Sequence, residues 1–408
     1  MRSKFARPLA MTLLILLASW MSGCRNDTSS QAQSPPSPTP TRTPIAAAPA
    51  LTPIAPALLK QSWAAYRQRF IQADGRVIDW EADARTTSEG QAYAMLRSVI
   101  IDDPKTFELT LTWAEKNLRR SDSPADTLWA WKWGRYGQKW GILDHNFASD
   151  ADVDAITALI LASRRWNRSD YLQLAQIKLR DLWTLAIVPV GSQRYLLPGP
   201  REAFQPPTKL HLNPSYFSPV AFRLFAQVDR AHDWLSLVNS SYDVLEASVS
   251  LSTLKLPSDW VALDTETKQF QPLLGTEPVY SRYGFDAYRV WWRIALDAEW
   301  YGEPRAKRYL QTHLKPLQQL WRSQQKIPAQ IDLRGIPTAT YEATSQYGAL
   351  YAALRLIDPP TGDALYRKKI LPRYRKGFWD NNSAYYTQNL VWFGLAPSTM
   401  LPPKLLQP

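Results

Sequence analysis

The feature of this sequence that most constrains its fold is a regular alternation of two kinds of predicted helix. One kind is rich in Ala, Leu, Tyr and Trp and carries few charges, which is typical of buried helices. The other kind is amphipathic, with Lys, Arg and Glu along one side. The buried helices are predicted to begin near Ser88, Asp150, Ser215, Asp286, Glu342 and Ala384, and the amphipathic helices near Leu58, Pro104, Tyr171, His232, Pro304 and Gly362.

Six buried helices that alternate with six amphipathic ones suit a closed double ring, with the buried set inside and the amphipathic set facing solvent. The spacing between successive buried helices is uneven and no unit is visibly repeated, which excludes a uniform short-period solenoid. Residues 187–197 and 260–274 alternate loosely and contain turn residues, so we expect short β-hairpins on the rim. The sequence therefore predicts an all-α fold.

The first 57 residues contain no pattern that could bury a helix face. Residues 1–23 combine a basic start, a short apolar stretch and the small pair Ser22-Gly23, which is typical of an export signal peptide. Residues 24–57 are rich in Pro, Ser and Thr, so we expect an extended tether. The folded domain is therefore expected to span residues 58–408.

Cys24 directly follows the small residues and is the only cysteine in the chain, which excludes an internal disulfide bond. Its position resembles a bacterial lipoprotein processing site, which would lipidate Cys24 and anchor the exported protein in the periplasm or at the cell surface. Ordinary secretion is the alternative, since Met21 stands where that motif prefers Leu. The net charge of +12 favours anionic surfaces, but the chain lacks the dense Lys/Arg stripe that nucleic-acid binding requires.

Three of the predicted buried helices begin with an acidic residue. Glu89 follows a polar triplet that can cap a helix, and Tyr93 lies one turn further on the same face. Asp150 opens a run of alternate aspartates. Asp286 stands three residues before Arg289, close enough for an ion pair that would hold Asp286 ionised. Taken singly, each pattern is explained equally well by helix capping or by an ordinary salt bridge.

Several other chemistries are excluded by their missing motifs. The aspartates from Asp150 do not form an EF-hand, because Ala155 and Leu161 occupy the positions of the required Gly and Glu. The four histidines are scattered without partners at metal-ligand spacing, and the sequence has neither a GxGxxG fingerprint nor a phosphate loop. Cys24 lies outside the folded domain and cannot act as a nucleophile there. We therefore expect no metal and no cofactor.

The three acidic stretches together resemble glycoside hydrolase family 8, the bacterial endoglucanases that fold as an (α/α)6 barrel. The ASDAD motif at 148–152 and the helix after it match the family signature, apart from an exchange of a small and a large residue at Ala155-Ile156. The SEGQAY stretch at 88–93 is similar to the family's acid motif, and the stretch from Asp286 to Arg289 to its base motif. The stretch 213–216 is similar to one that lines the cleft, and the similarity covers residues 58–395.

The resemblance implies an inverting endo-β-1,4-glucanase, a cellulase that uses no metal. Glu89 would be the general acid, Asp286 the general base, and Asp150 would hold the sugar at the point of cleavage. A protonated carboxyl must assist the departing glycosidic oxygen, and an ionised one must activate water. Asp264 or Glu266, in the second predicted hairpin, is the alternative base, because some family members take it from elsewhere.

Sugar binding needs flat apolar faces, and this chain contains 18 Trp and 19 Tyr. Trp129, Trp131 and Trp133 stand at alternate positions, so their side chains would line one side of a groove. Trp131 is the preferred sugar platform, and the other substrate-binding candidates are Tyr93, Tyr216, Arg289 and Tyr347. We expect a monomer that binds a β-1,4-linked polysaccharide. Xylan, mixed-linkage glucan and chitosan are alternative substrates, and an inactive glycan-binding surface protein is the alternative from another functional class.

Overall fold

A computed structural model describes residues 56–120, 126–274 and 279–407 of the chain, all of which belong to one unit that spans residues 48–408. The predicted signal peptide, Cys24 and nearly all of the predicted tether lie outside the described residues, so export and lipidation stay predictions. Within the described part of the chain, no helix is both long enough and apolar enough to cross a lipid bilayer.

The described residues form fourteen α-helices, which begin close to the twelve predicted positions and include two additional segments. They are α1 (Pro56–Phe70), α2 (Ser88–Ile101), α3 (Pro104–Asn117), α4 (Ser149–Trp166), α5 (Ser169–Ala186), α6 (Arg201–Phe204), α7 (Pro219–Val228), α8 (Trp234–Ser250), α9 (Phe285–Tyr301), α10 (Pro304–His313), α11 (Lys315–Gln324), α12 (Thr344–Ile357), α13 (Pro359–Leu365) and α14 (Tyr385–Leu395).

The predicted buried helices form the inner ring. In chain order α2, α4, α7, α9, α12 and α14 each pack against the next, and α14 packs against α2 to close the ring. Each inner helix carries an outer partner: α3 on α2, α5 on α4, α8 on α7, α10 on α9, α13 on α12 and α1 on α14. This closed double ring is an (α/α)6 barrel, and the all-α prediction is confirmed.

Short polar caps set where several helices begin. Asp103 precedes Pro104 and its side chain accepts the backbone N–H of Thr106 at 3.1 Å, which satisfies one free donor at the start of α3. Glu303 does the same for α10, with Pro304 in the first helical position. Because each cap is local, the boundaries of these outer helices follow directly from the sequence.

Ten short strands lie in the connections between helices. They are β1 (Thr86–Thr87), β2 (Ala130–Tyr136), β3 (Lys139–Phe147), β4 (Ile187–Val190), β5 (Gln193–Leu196), β6 (Lys209–Leu212), β7 (Val261–Asp264), β8 (Phe270–Pro272), β9 (Tyr374–Arg375) and β10 (Phe378–Trp379). The two predicted hairpins are present as β4–β5 and β7–β8, and β6 adds a third strand beside β7. All of the pairings between these strands are antiparallel.

The Trp-rich stretch after α3 was assigned from the sequence neither to a helix nor to a strand. It forms β2, the middle strand of the sheet β1–β2–β3. Because β1 leads directly into α2 and pairs with β2 through Thr87 and Lys132, this sheet stands beside the first turn of the helix that carries Glu89. A pairing of strands this far apart in the chain leaves no local signal in the sequence.

Two glycines allow the successive inner helices α12 and α14 to approach each other closely. A Cβ atom on Gly394 would lie 1.9 Å from the carbonyl oxygen of Gly348, and one on Gly348 would lie 2.6 Å from the Cα atom of Val391. Neither position can accept a side chain without moving a helix backbone. The glycine pair therefore sets the spacing of these two inner helices.

Replacing Gly394 by Ala is expected to lower the free energy of unfolding by about 1–3 kcal/mol, because the added methyl group overpacks the contact between α12 and α14. Urea unfolding followed by circular dichroism measures this change. Gly141→Ala is the matched control, since a Cβ atom there meets nothing within 4 Å. Equal midpoints for wild type and Gly394→Ala would contradict the expectation.

Candidate active site

Three carboxyl groups meet at the guanidinium group of Arg289. Its Nη1 donates to Glu89 Oε2 at 2.7 Å and to Asp150 Oδ2 at 2.6 Å, and its Nη2 donates to Asp286 Oδ1 at 2.5 Å. Only 1% of the Arg289 side chain is exposed. The structure therefore brings together the three acidic residues that the sequence singled out, although they lie in three widely separated stretches of the chain.

Each of the three carboxyl groups sits at the first turn of an inner helix. Glu89 follows Thr87, whose hydroxyl accepts the N–H of Gly90 at 3.1 Å and caps α2. Asp150 opens α4 and accepts the N–H of Ala151 at 2.9 Å. Asp286 and Arg289 lie one turn apart at the start of α9. The positive end of each helix dipole thus points toward the cluster and favours negative charge there.

Glu89 lies among tyrosines in a largely enclosed position. Tyr385, the first residue of α14, donates its hydroxyl to Glu89 Oε1 at 2.8 Å, and the hydroxyl of Tyr93 lies 3.5 Å from Oε2. Burial raises the pKa of Glu89 to about 7, against the opposing effect of Arg289, and the charge of Asp150 adds to the rise. A carboxyl group in this state exchanges its proton near neutral pH.

Asp286 is the most accessible of the three carboxyl groups, with 33% of its side chain exposed, compared with 18% for Glu89 and 4% for Asp150. Partial burial raises its pKa above the usual value for Asp, while Arg289 and the neighbouring amide of Asn213 lower it. The sequence predicted that Arg289 would hold Asp286 ionised. The ion pair exists, but its effect on the pKa is smaller than that of burial, because Arg289 is shared among three carboxyl groups.

Arg289 was also predicted to bind substrate, and only 1% of its side chain is exposed. The guanidinium group is enclosed by the three carboxyl groups and by Tyr216, whose ring centre lies 5.1 Å from its Cζ atom. It therefore positions the acidic side chains and has almost no surface left to offer a ligand. Tyr216, in the turn before α7, is half-buried beside this cluster, so the structure brings it to the site together with Tyr93.

Trp129, Trp131 and Trp133 do not share one face of a groove, and only the last two belong to β2. Trp129 is fully buried and donates its Nε1–H to Glu115 at 2.9 Å. Trp133 packs against Trp113 and Trp140, with ring centres 5.2 and 5.3 Å away. The β2–β3 pairing is irregular between Ala130 and Trp133, which breaks the strict alternation that the prediction assumed. Trp131 is half-buried.

Tyr347 lies outside this cluster. Only 2% of it is exposed, and its hydroxyl accepts the N–H of Ile327 at 2.9 Å and contacts Glu342. The tyrosine therefore holds the start of α12 against the preceding loop, and its assignment to the substrate cleft stays a prediction.

The alternative base is also placed elsewhere. Asp264 Oδ1 accepts the backbone N–H groups of Glu266 and Thr267 at 3.1 and 2.8 Å, and Glu266 is exposed. These hydrogen bonds lower the pKa of Asp264. Its carboxyl group closes the turn between β7 and β8 and makes no contact with Arg289.

Three residues around the cluster were missed by the sequence reasoning. Tyr385 contacts Glu89, the hydroxyl of Tyr386 donates to the carbonyl of Phe285 at 2.5 Å just before Asp286, and Asp259 accepts the N–H of Ala287 at 2.8 Å. The tyrosine pair opens α14, the helix next to α2 in the ring. Tyr385 and Tyr386 lie at the start of a predicted buried helix, as Glu89 does. That position was the sequence feature that could have identified them.

Among the residues that the structure describes, no group of three or more His, Cys, Asp or Glu side chains is arranged to hold a metal ion. The three clustered carboxyl groups point instead at one shared cation from the protein itself.

Comparison with known proteins gives one consistent family. The model of glycosyl hydrolases family 8 matches residues 43–399. An endoglucanase of Xanthomonas axonopodis pv. citri is 36% identical over 282 residues, which cover 68% of this chain and 70% of that protein. An endoglucanase of Escherichia coli K12 is 28% identical over 337 residues, which cover 82% and 85% of the two chains.

A solved structure agrees with these relatives. The endo-1,4-D-glucanase of Vibrio fischeri ES114 superimposes with a TM-score of 0.69 at 27% identity, over 82% of this chain and 93% of that chain. The matching family model extends over most of the sequence and includes all three clustered carboxyl groups. This chain therefore belongs to glycosyl hydrolases family 8 and is a glycosidase built on the (α/α)6 barrel.

Proposed function

We propose that this glycosidase is an endo-acting β-1,4-glucanase that hydrolyses its substrate with inversion, using Glu89 as the general acid and Asp286 as the general base. The observation that carries the proposal is the cluster at Arg289, where one enclosed carboxyl group faces a more accessible one across a single guanidinium group. The endoglucanase relatives from Xanthomonas and Escherichia coli support the substrate class.

The chemistry requires one carboxyl group that keeps its proton and one that has lost it. Glu89, with a pKa of about 7, is protonated in a large fraction of molecules at neutral pH. Asp286 is the more exposed of the two, with 33% of its side chain exposed, and would hold a water molecule between itself and a bound sugar. Inverting enzymes place that water between two carboxyl groups that stand roughly 6.5–9.5 Å apart.

In the proposed step, the oxygen of the water attacks the anomeric carbon and Asp286 takes one of its protons. Glu89 donates its proton to the glycosidic oxygen while the bond from that oxygen to the anomeric carbon breaks. The turnover consumes one water molecule and leaves Glu89 ionised and Asp286 protonated, and exchange with solvent restores both. Arg289 lies 2.7 Å from Glu89 Oε2 and stabilises the carboxylate that Glu89 becomes.

Asp150 is proposed to hold the sugar at the point of cleavage, since its second oxygen already binds the N–H of Ala151 and its orientation is fixed by Arg289. Trp131 is the proposed platform for a neighbouring sugar ring, because it is half-buried on β2 beside the start of α2. Tyr216, half-buried beside Arg289, is proposed to line the site next to the reacting bond, whereas Tyr93 is fully buried and contacts Glu89. A glucan chain lying across these residues would be cut internally.

Replacing Glu89 by Gln or Asp286 by Asn should lower kcat on a soluble cellulose derivative by at least 10²–10⁴-fold, because each change removes a proton-transfer group. Product release is measured on cellulose derivative, xylan, mixed-linkage glucan and chitosan, and the cellulose derivative should be cut fastest by the wild type. The control variants Asp264→Asn and Glu266→Gln should match the wild type.

Retained activity in Glu89→Gln or Asp286→Asn would remove that residue from its role, and preference for another polymer would change the substrate assignment. If the wild type releases product from none of the four polymers, the chain is a glycan-binding protein without turnover. Circular dichroism of each variant verifies that the fold is intact.

The stereochemistry of the product tests the mechanism directly. Attack by water from the side opposite the leaving group converts a β-linkage into an α-configured reducing end. We expect a proton NMR spectrum recorded during the first minutes of hydrolysis to show the α-anomer before mutarotation mixes the two forms. Initial appearance of the β-anomer would rule out inversion.

The pH dependence tests the assignment of Glu89. Because Glu89 must be protonated, kcat/KM should fall as the pH rises through about 7. The hydrogen bond from Tyr385 favours the ionised form of Glu89 and lowers its pKa, so Tyr385→Phe should move this fall to higher pH. Tyr347→Phe is the control, because that hydroxyl lies outside the cluster. If kcat/KM falls at the same pH in Tyr385→Phe as in the wild type, the assignment of Glu89 as the general acid is contradicted.

A further inference from the structure

Asp259 is a buried carboxyl group with no role in the steps above. It precedes β7, and only 5% of its side chain is exposed. Its Oδ1 accepts the backbone N–H of Ala287 at 2.8 Å, and its Oδ2 accepts the Nε–H of Arg282 at 3.2 Å. Its own N–H donates to the carbonyl oxygen of Arg282 at 2.6 Å, so backbone and side chain are both fixed against the segment that leads into α9.

The contact with Ala287 takes the place of a helix cap. Gly284 occupies the cap position of α9 and has no side chain that could accept a free N–H group at the start of the helix. A Cβ atom on Gly284 would lie 2.5 Å from Asp259 Oδ2. The glycine therefore leaves the space in which a carboxylate from a distant segment caps α9, and Asp286 lies within the turn that is capped.

We propose that Asp259 is a positioning residue for Asp286: it fixes the first turn of α9 by accepting the backbone N–H of Ala287 from outside the helix. The inference rests on the proposed role of Asp286 as general base. Asp259 itself does not reach substrate, because it is far more enclosed than Asp286, of which a third is exposed.

The two carboxyl groups are electrostatically linked. Burial and the charge of Asp286 raise the pKa of Asp259 to about 7, while Ala287 and Arg282 oppose the rise. Because the charge of Asp286 opposes the ionisation of Asp259, these two carboxyl groups together keep a proton to higher pH than a lone Asp would. The charged and titratable groups that face the pair from all sides are Arg282, Tyr283, Tyr288, Arg289, Asp150, Glu89, Tyr216 and Tyr386.

Asp259→Asn tests the inference, because it keeps the size of the side chain but leaves one acceptor oxygen for Ala287 and Arg282, where the carboxylate offers two. We expect kcat at the optimum to fall about 10- to 100-fold with little change in KM, since the base loses its exact orientation while sugar contacts remain.

Asp297→Asn is the matched control. Asp297 is fully buried near the other end of α9, where it accepts the Nε–H of Arg223 at 2.8 Å and the hydroxyl of Tyr242 at 2.6 Å. Its replacement should lower the unfolding midpoint without lowering kcat. If Asp259→Asn loses stability but keeps the wild-type kcat, its role is merely structural and the inference is overturned.

Gly284→Ala provides a second route if Asp259→Asn does not fold. It keeps the charge of Asp259 but pushes the carboxylate away from its place, so kcat should fall at least several-fold at unchanged KM. Wild-type kcat in a folded Gly284→Ala variant would overturn the inference. Asp286→Asn, measured in the same series, separates the two proposals, since activity in that variant refutes the base assignment whatever the result at Asp259.

Discussion

The active centre depends on a cation that is almost completely removed from water. A buried guanidinium group is costly unless it is paired, and Arg289 is paired with three carboxyl groups from α2, α4 and α9. Its planar donors leave little freedom in where those oxygens can lie. The arginine thus converts three flexible acidic side chains into a fixed arrangement, while its own Nε lacks a protein partner.

A second buried arginine pairs with an aspartate one turn further along α9. Arg293 donates both of its Nη groups to the two oxygens of Asp154, at 2.7 and 2.9 Å. Two arginines on α9 therefore reach two aspartates on α4, although α7 lies between these helices in the ring order. Buried ion pairs add little net stability compared with apolar packing. Their effect here is to fix how α9 faces α4, and hence how Asp286 faces Glu89.

The sequence-based expectations succeeded where the physical signal was local. Helix starts such as Ser88 and Pro104 were predictable because caps, prolines and apolar periodicity act within a few residues. The acidic trio was identifiable because each member stands at such a start. Trp129 and Trp133 were misplaced for the opposite reason, since whether an aromatic ring faces a cleft or the core depends on elements far away in the chain.

The sequence by itself determined the order of the twelve barrel helices, their division into buried and amphipathic sets, and the presence of three carboxylates at inner-helix starts. How far each carboxyl group is enclosed was decided only by the tertiary structure. Closure of the ring enclosed Arg289, left Asp286 more open than Glu89, and brought Tyr385 and Asp259 against them. The pKa of a carboxyl group depends on water and charge within a few ångströms, and those neighbours come from segments that meet only after the barrel has closed.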